Sequence, residues 1–144
     1  MWITVFTGMF LGVCAIEDLR KKSISNYILI LGTIVMVLLV GAECANASLR
    51  GILGRLAGVV PGCALLLLAV FLKGKVGAGD GIVLMITGPA IGLERNIAML
   101  LYGLIIAAVM SGILLCLRKV GKNTKIPFIP FLLCGFIMCL VMKG

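Results

Sequence analysis

The chain is 144 residues long, 62% hydrophobic, with a mean hydropathy of +1.29 and only 12% charged residues. A soluble domain carries about 25% charged residues, so an ordinary soluble fold is excluded, and apolar runs without strand-like alternation argue against a membrane β-barrel. The formal net charge is +8, but Lys and Arg fall in the short gaps between apolar runs, which marks them as topology signals and lipid-headgroup contacts and argues against a nucleic-acid partner.

Six apolar segments are predicted, and with them an all-α, polytopic membrane fold: one domain, residues 1–144, of six transmembrane helices. The first segment, about Trp2 to Ile16, is apolar first and basic afterwards. A secretory signal has the reverse order, so it reads as a retained helix with its N-terminus outside. The second runs from about Tyr27 to Ala42. The third, about Leu49 to Leu72, is the longest and carries Gly54, Gly58 and Gly62 at four-residue spacing, a pattern that suits close helix packing. The fourth, Gly81 to Leu93, is short and contains Gly88 and Pro89. The fifth runs from about Ile97 to Leu117. The sixth, about Ile126 to Met142, opens with Pro127 and Pro130, which a helix start tolerates because its first N–H groups lack partners anyway. Of the six cysteines, five lie within apolar runs as small packing residues and Cys44 falls in a loop. No pair has C-x-x-C spacing and there is no histidine, so a structural zinc site of the usual kind is not expected.

The thirteen residues of the fourth segment rise only about 20 Å as a helix, against about 30 Å of hydrocarbon. The positive-inside rule arbitrates. If the segment crosses and the N-terminus is outside, nine Lys and Arg fall in the cytoplasmic gaps at 20–22, 73–75 and 118–125, against Arg50, Arg55, Arg95 and Lys143 outside. Without that crossing the split is seven against six. The asymmetry favours six crossings with both termini outside, the fourth span being buried by its neighbours or extended towards Asp80.

This topology brings the chain's two aspartates, Asp18 and Asp80, to one membrane face although 62 positions separate them. A carboxylate at the edge of a membrane is costly and needs a reason. Two that lie close together hold one proton between them, which supplies an acid and a base. The base activates a water and the acid polarises a peptide carbonyl, chemistry that needs neither a metal nor a histidine. Gly77 and Gly79, in "GAGD", are read as a bend with positive φ that presents Asp80 and lets a substrate strand approach. Other readings use the same residues: Asp80 as a helix N-cap, Asp18 as a loop charge, or the two acids as an ion or proton pathway. Asn26 reads as the cap of the second helix, with substrate contact as the alternative.

Three motifs resemble the type IV prepilin peptidases, in the short form associated with Flp or Tad pili. They are "DLRKKSISN" (Asp18 to Asn26), "GAGD" (Gly77 to Asp80), which matches the GxGD motif shared with presenilin-type proteases, and "KIPFIPFLLCG" (Lys125 to Gly135). The resemblance implies a membrane aspartic endopeptidase of the bacterial inner membrane. It would cut the short basic leader of a prepilin or pseudopilin on the cytoplasmic side, just before a hydrophobic helix, with Asp18 and Asp80 as the catalytic pair and Gly77, Gly79 and Asn26 supporting them. Membrane lipids are the other expected partner, and no cofactor is implied. The chain departs from the family pattern at Ser25, where the family usually has proline, and at Ile82, where it often has lysine. The cysteine-bearing region of the longer, methylating enzymes is not expected, so peptidase activity is expected without methylation. The alternatives are a presenilin-like intramembrane protease of broader range and a small non-enzymatic transporter that uses the two acids.

Overall fold

A computed structural model describes residues 2–21, 24–45, 47–72, 77–117 and 127–142. Among these residues the chain forms α1 (Trp2–Lys21), α2 (Asn26–Cys44), α3 (Leu49–Ala57), α4 (Val60–Phe71), α5 (Ala78–Ile91), α6 (Leu93–Cys116) and α7 (Ile129–Val141), with no strand. The all-α reading holds. Among the described residues four stretches are long and apolar enough to cross a membrane: α1, α2, α3 with α4 as Leu49–Phe71, and α6. The helices α5 and α7 are apolar but shorter. Large side chains such as Ile30, Leu31, Ile34 and Leu38 of α2, and Leu101, Leu104 and Ile105 of α6, are exposed. Such extensive exposed apolar surface suits hydrocarbon and not water, and the chain is a multi-pass membrane protein.

The first helix runs past the predicted Ile16 to Lys21. Charged residues extend it: Arg20 and Lys21 occupy the last turn, where they complement the negative end of the helix dipole, and Lys21 pairs with Glu17 one turn back at 3.6 Å. Glu17 and Asp18 therefore ride on a helix face. Cys44 closes α2 rather than lying in a loop.

The third predicted segment is broken. α3 stops at Ala57 and α4 resumes at Val60 with a proline, Pro61, in its first turn. Proline has no N–H to bond the carbonyl of Ala57, and its ring crowds that carbonyl. The N–H groups of Gly58 and Val59 turn to the carbonyls of Arg55 and Leu56, three residues back, at 3.0 and 3.1 Å. Of the evenly spaced glycines, Gly58 lies against the backbone of Gly88 and Gly62 against Met85 and Gly81, whereas Gly54 faces open space. The close-packing expectation holds for two of the three.

The short fourth segment is the centre of the bundle. α5 packs against α1, α2, α3, α4 and α6, and buries Val83, Leu84, Ile86, Thr87 and Gly88. Within it, Thr87 donates its hydroxyl to the carbonyl of Val83 at 3.0 Å, and across from it Asn96 of α6 donates to the carbonyls of Gly58 at 2.7 Å and Leu84 at 3.2 Å. One polar side chain thus ties the α3–α4 break, α5 and α6 together. The chain passes from α5 to α6 through Gly92, whose φ of 84° is the only positive glycine φ among the described residues. α7 packs between α6 and α1, with Gly103 against Leu132 and Gly135 against the backbone of Met99 and Gly103.

Candidate active site

Asp18 is buried on the last turn of α1. Its Oδ2 accepts the N–H of Ile129, the first residue of α7, at 3.2 Å. The opening N–H groups of a helix have no partner within the helix, Phe128 supplies no side-chain cap, and Pro130 has no N–H to offer. The carboxylate thereby serves as the missing cap, and the "PFIPF" segment meets the first motif through a bond spanning 111 residues.

Asp80 lies half-buried in the first turn of α5. Its N–H donates to the carbonyl of Gly77 at 3.1 Å. Gly77 is not bent into a positive φ: it is extended, with φ −66° and ψ 112°, and neither it nor Gly79 has the left-handed backbone expected of them. The reason for both glycines is space. A Cβ on Gly77 would stand 2.6 Å from Oδ2 of Asp80, and one on Gly79 would stand 2.9 Å from Cδ1 of Ile24. The Asp80 carboxylate folds back over the first glycine, and the chain entering α2 lies on the second.

The structure brings the two aspartates to one end of the bundle. α1 packs on α5, with Asp18 in the last turn of α1 and Asp80 in the first turn of α5. Asn26 is not the cap of α2. The N-cap of α2 is Ser25, with extended φ and ψ of −68° and 131°, and Asn26 is the first helical residue, exposed and without a cap bond. Ser25 instead donates its N–H to Oε2 of Glu17 at 2.8 Å. Ile82 is half-buried, packs on the core and lines an apolar cavity of ≈ 680 Å³ with Thr33, Met36 and Val40 of α2 and Leu66 of α4. Lys22, Lys73, Lys75, Arg118, Lys119, Lys122 and Lys125 lie outside the described residues, whereas Arg20 and Lys21 close α1 beside the site.

Two contributors escaped the sequence reading. Glu17 was visible as an acid next to Asp18, and Asn96 as an amide inside an apolar run, but nothing local names the distant backbone groups that they bond.

No curated protein and no solved structure matches the chain. A family model does, over residues 5–116, a stretch that includes Asp18 and Gly77 to Asp80 and ends before α7. The chain belongs to the Type IV leader peptidase family, and it is a peptidase on that ground.

Proposed function

We propose that the protein is an aspartic endopeptidase that removes the short basic leader of a Flp-like prepilin or pseudopilin at the cytoplasmic face of a bacterial inner membrane, with Asp18 and Asp80 as the catalytic pair. The observation that carries the reading is that α1 ends and α5 begins at one end of the bundle with an aspartate in each of those turns, each presented by a separate device: the start of α7 for Asp18 and the Gly77 gap for Asp80. The family membership supports proteolysis. The charge asymmetry of the gaps supports six crossings, with both termini outside and the pair on the inner face.

In the proposed reaction one aspartate, ionised, takes a proton from water while the water oxygen adds to the scissile carbonyl carbon. The other, protonated, gives its proton to the carbonyl oxygen. Collapse of the resulting gem-diol re-forms the carbonyl and breaks the C–N bond: one diol hydroxyl returns its proton to the second aspartate, and the departing amine takes its proton from the carboxyl that received one from water. Both aspartates are thereby restored to their starting states and one water has been consumed. A general acid or base of this kind contributes roughly 10²- to 10⁴-fold.

The test is co-expression with a Flp-type prepilin, following leader removal by gel shift. Asp18→Asn and Asp80→Asn are each expected to reduce processing by about 100-fold or more. Normal processing by both would sink the proposal. Sequencing the new N-terminus is expected to place the cut just before the hydrophobic helix of the substrate; a cut within that helix would instead indicate a presenilin-like protease.

A further inference from the structure

Beside the pair stands a third carboxylate that the proposed hydrolysis does not use. Glu17 is half-buried and divides its two oxygens. Oε1 lies 3.6 Å from Nζ of Lys21, whose side chain is 66% exposed. A pair of this kind, one turn apart on a helix and open to solvent, contributes little. Oε2 does something different: it accepts the N–H of Ser25 at 2.8 Å, across the connection from α1 to α2.

That bond has consequences on both sides of Ser25. After it, the Ser25 carbonyl accepts the N–H groups of Ile28 and Leu29 at 3.1 and 3.3 Å and so opens α2. Before it, Ile24 rests on Gly79, close enough that a Cβ there would stand 2.9 Å from Cδ1 of Ile24. Gly79 is the residue immediately before Asp80. A continuous line of contact therefore runs from Glu17, the neighbour of Asp18, through Ser25 and Ile24 to the neighbour of Asp80.

We propose that Glu17 is a positioning residue, which pins the entry of α2 to α1 and so holds Ile24 against Gly79, keeping the start of α5 in register with Asp18. The inference rests on the reading of Asp18 and Asp80 as the reacting pair. It also says what replaces Glu17. The φ of Ser25, −68°, lies at the value that a proline ring imposes. A proline there would lose the N–H that Glu17 accepts, but would hold the same backbone angle covalently. Restraint by a carboxylate and restraint by a ring are alternatives at this position.

The experiment measures prepilin processing by the full chain in membranes, with kcat and KM separated and thermal unfolding in detergent recorded for each variant. Glu17→Ala is expected to lower kcat about tenfold with KM unchanged. Glu17→Gln keeps an acceptor for the Ser25 N–H and is expected to retain at least half the activity, although it loses the Lys21 pair. Ser25→Pro added to Glu17→Ala is expected to recover most of the lost kcat. Ile24→Ala, which leaves the Glu17–Ser25 bond intact, is expected to lower kcat as Glu17→Ala does, so the inference stays open to refutation should Glu17→Ala not fold. Full activity of Glu17→Ala or of Ile24→Ala would overturn it. So would a loss in Glu17→Ala that neither glutamine nor the added proline repairs, because Glu17 would then act through its charge. Asp18→Asn and Asp80→Asn, run in parallel, separate the two levels: their full activity would overturn the reading of the pair, whereas their inactivity with normal Glu17 variants would overturn only the positioning role.

Discussion

Gly77 is exposed, and its backbone angles suit any residue, so the molecule's tolerance for a side chain there is decided by one neighbour. A methyl group would meet Oδ2 of Asp80 at 2.6 Å, and the carboxylate would have to turn away. Gly77→Ala is therefore expected to lower prepilin processing by about tenfold, since misplacing a reacting group by about 1 Å can cost up to about 100-fold, while leaving the thermal unfolding midpoint unchanged or slightly raised. Gly54→Ala is the companion measurement. Gly54 lies within α3 and faces open space, so alanine there is expected to stabilise by up to about 1 kcal/mol and to leave processing untouched. The aspartates themselves were legible in the sequence, because an acid in so apolar a chain is expensive and therefore conspicuous. The glycines next to Asp80 were legible as necessary, but the necessity was misread. Local sequence suggested a left-handed turn, whereas the constraint comes from where a carboxylate and Ile24 come to lie. Asn26 was misassigned for a related reason: Ser25, Asn26 and the approach of Glu17 compete to open α2, and only the fold decides among them.

Among the elements, the long third segment shows how far periodicity reaches. Its apolar run was legible and so was its length, but the break at Gly58 and Val59 turns on Pro61, which a reading by hydropathy passes over. The break frees the carbonyl of Gly58, and Asn96 takes it. The second carbonyl bonded by Asn96, that of Leu84, lies on α5, so the amide nitrogen faces two acceptors and must be the donor. Asn96→Ala strands the carbonyl of Gly58 and leaves that of Leu84 with the Thr87 hydroxyl at 3.4 Å, and is expected to cost about 2 kcal/mol. Asn96→Asp is expected to cost more, because a carboxylate has no donor and a carboxylic acid has one. Thermal unfolding in detergent should rank wild type above Asn96→Ala and Asn96→Ala above Asn96→Asp. If the two variants unfold together, the amide is not the tie between these helices. Helix ends were the least legible features. α1 continues through Glu17 to Lys21 because its last-turn charges suit the dipole, and α7 waits until Ile129 because an acid from another helix caps it there.

For the molecule as a whole, the sequence carried the all-helical architecture through its long apolar runs, and the proposed sidedness rests on its charges. The six proposed crossings lead to a direct expectation. In a variant lacking the native cysteines, a single cysteine at Ser25 or Gly77 should react with a membrane-impermeant thiol reagent only from the cytoplasmic side, and one at Ala47 only from outside. Labelling of Ser25 from outside would reverse the orientation. The order of the helices also gives the Asp18–Ile129 bond a temporal meaning. Asp18 emerges early in synthesis and its helix-start partner 111 residues later, after every other described helix. Until α7 enters the bundle, the first carboxylate of the pair has no donor to hold it and the wall behind it is absent. For the proposed pair, a chain truncated before Pro127 keeps both aspartates and loses the donor to Asp18, so it is expected to process prepilin more slowly than the full chain.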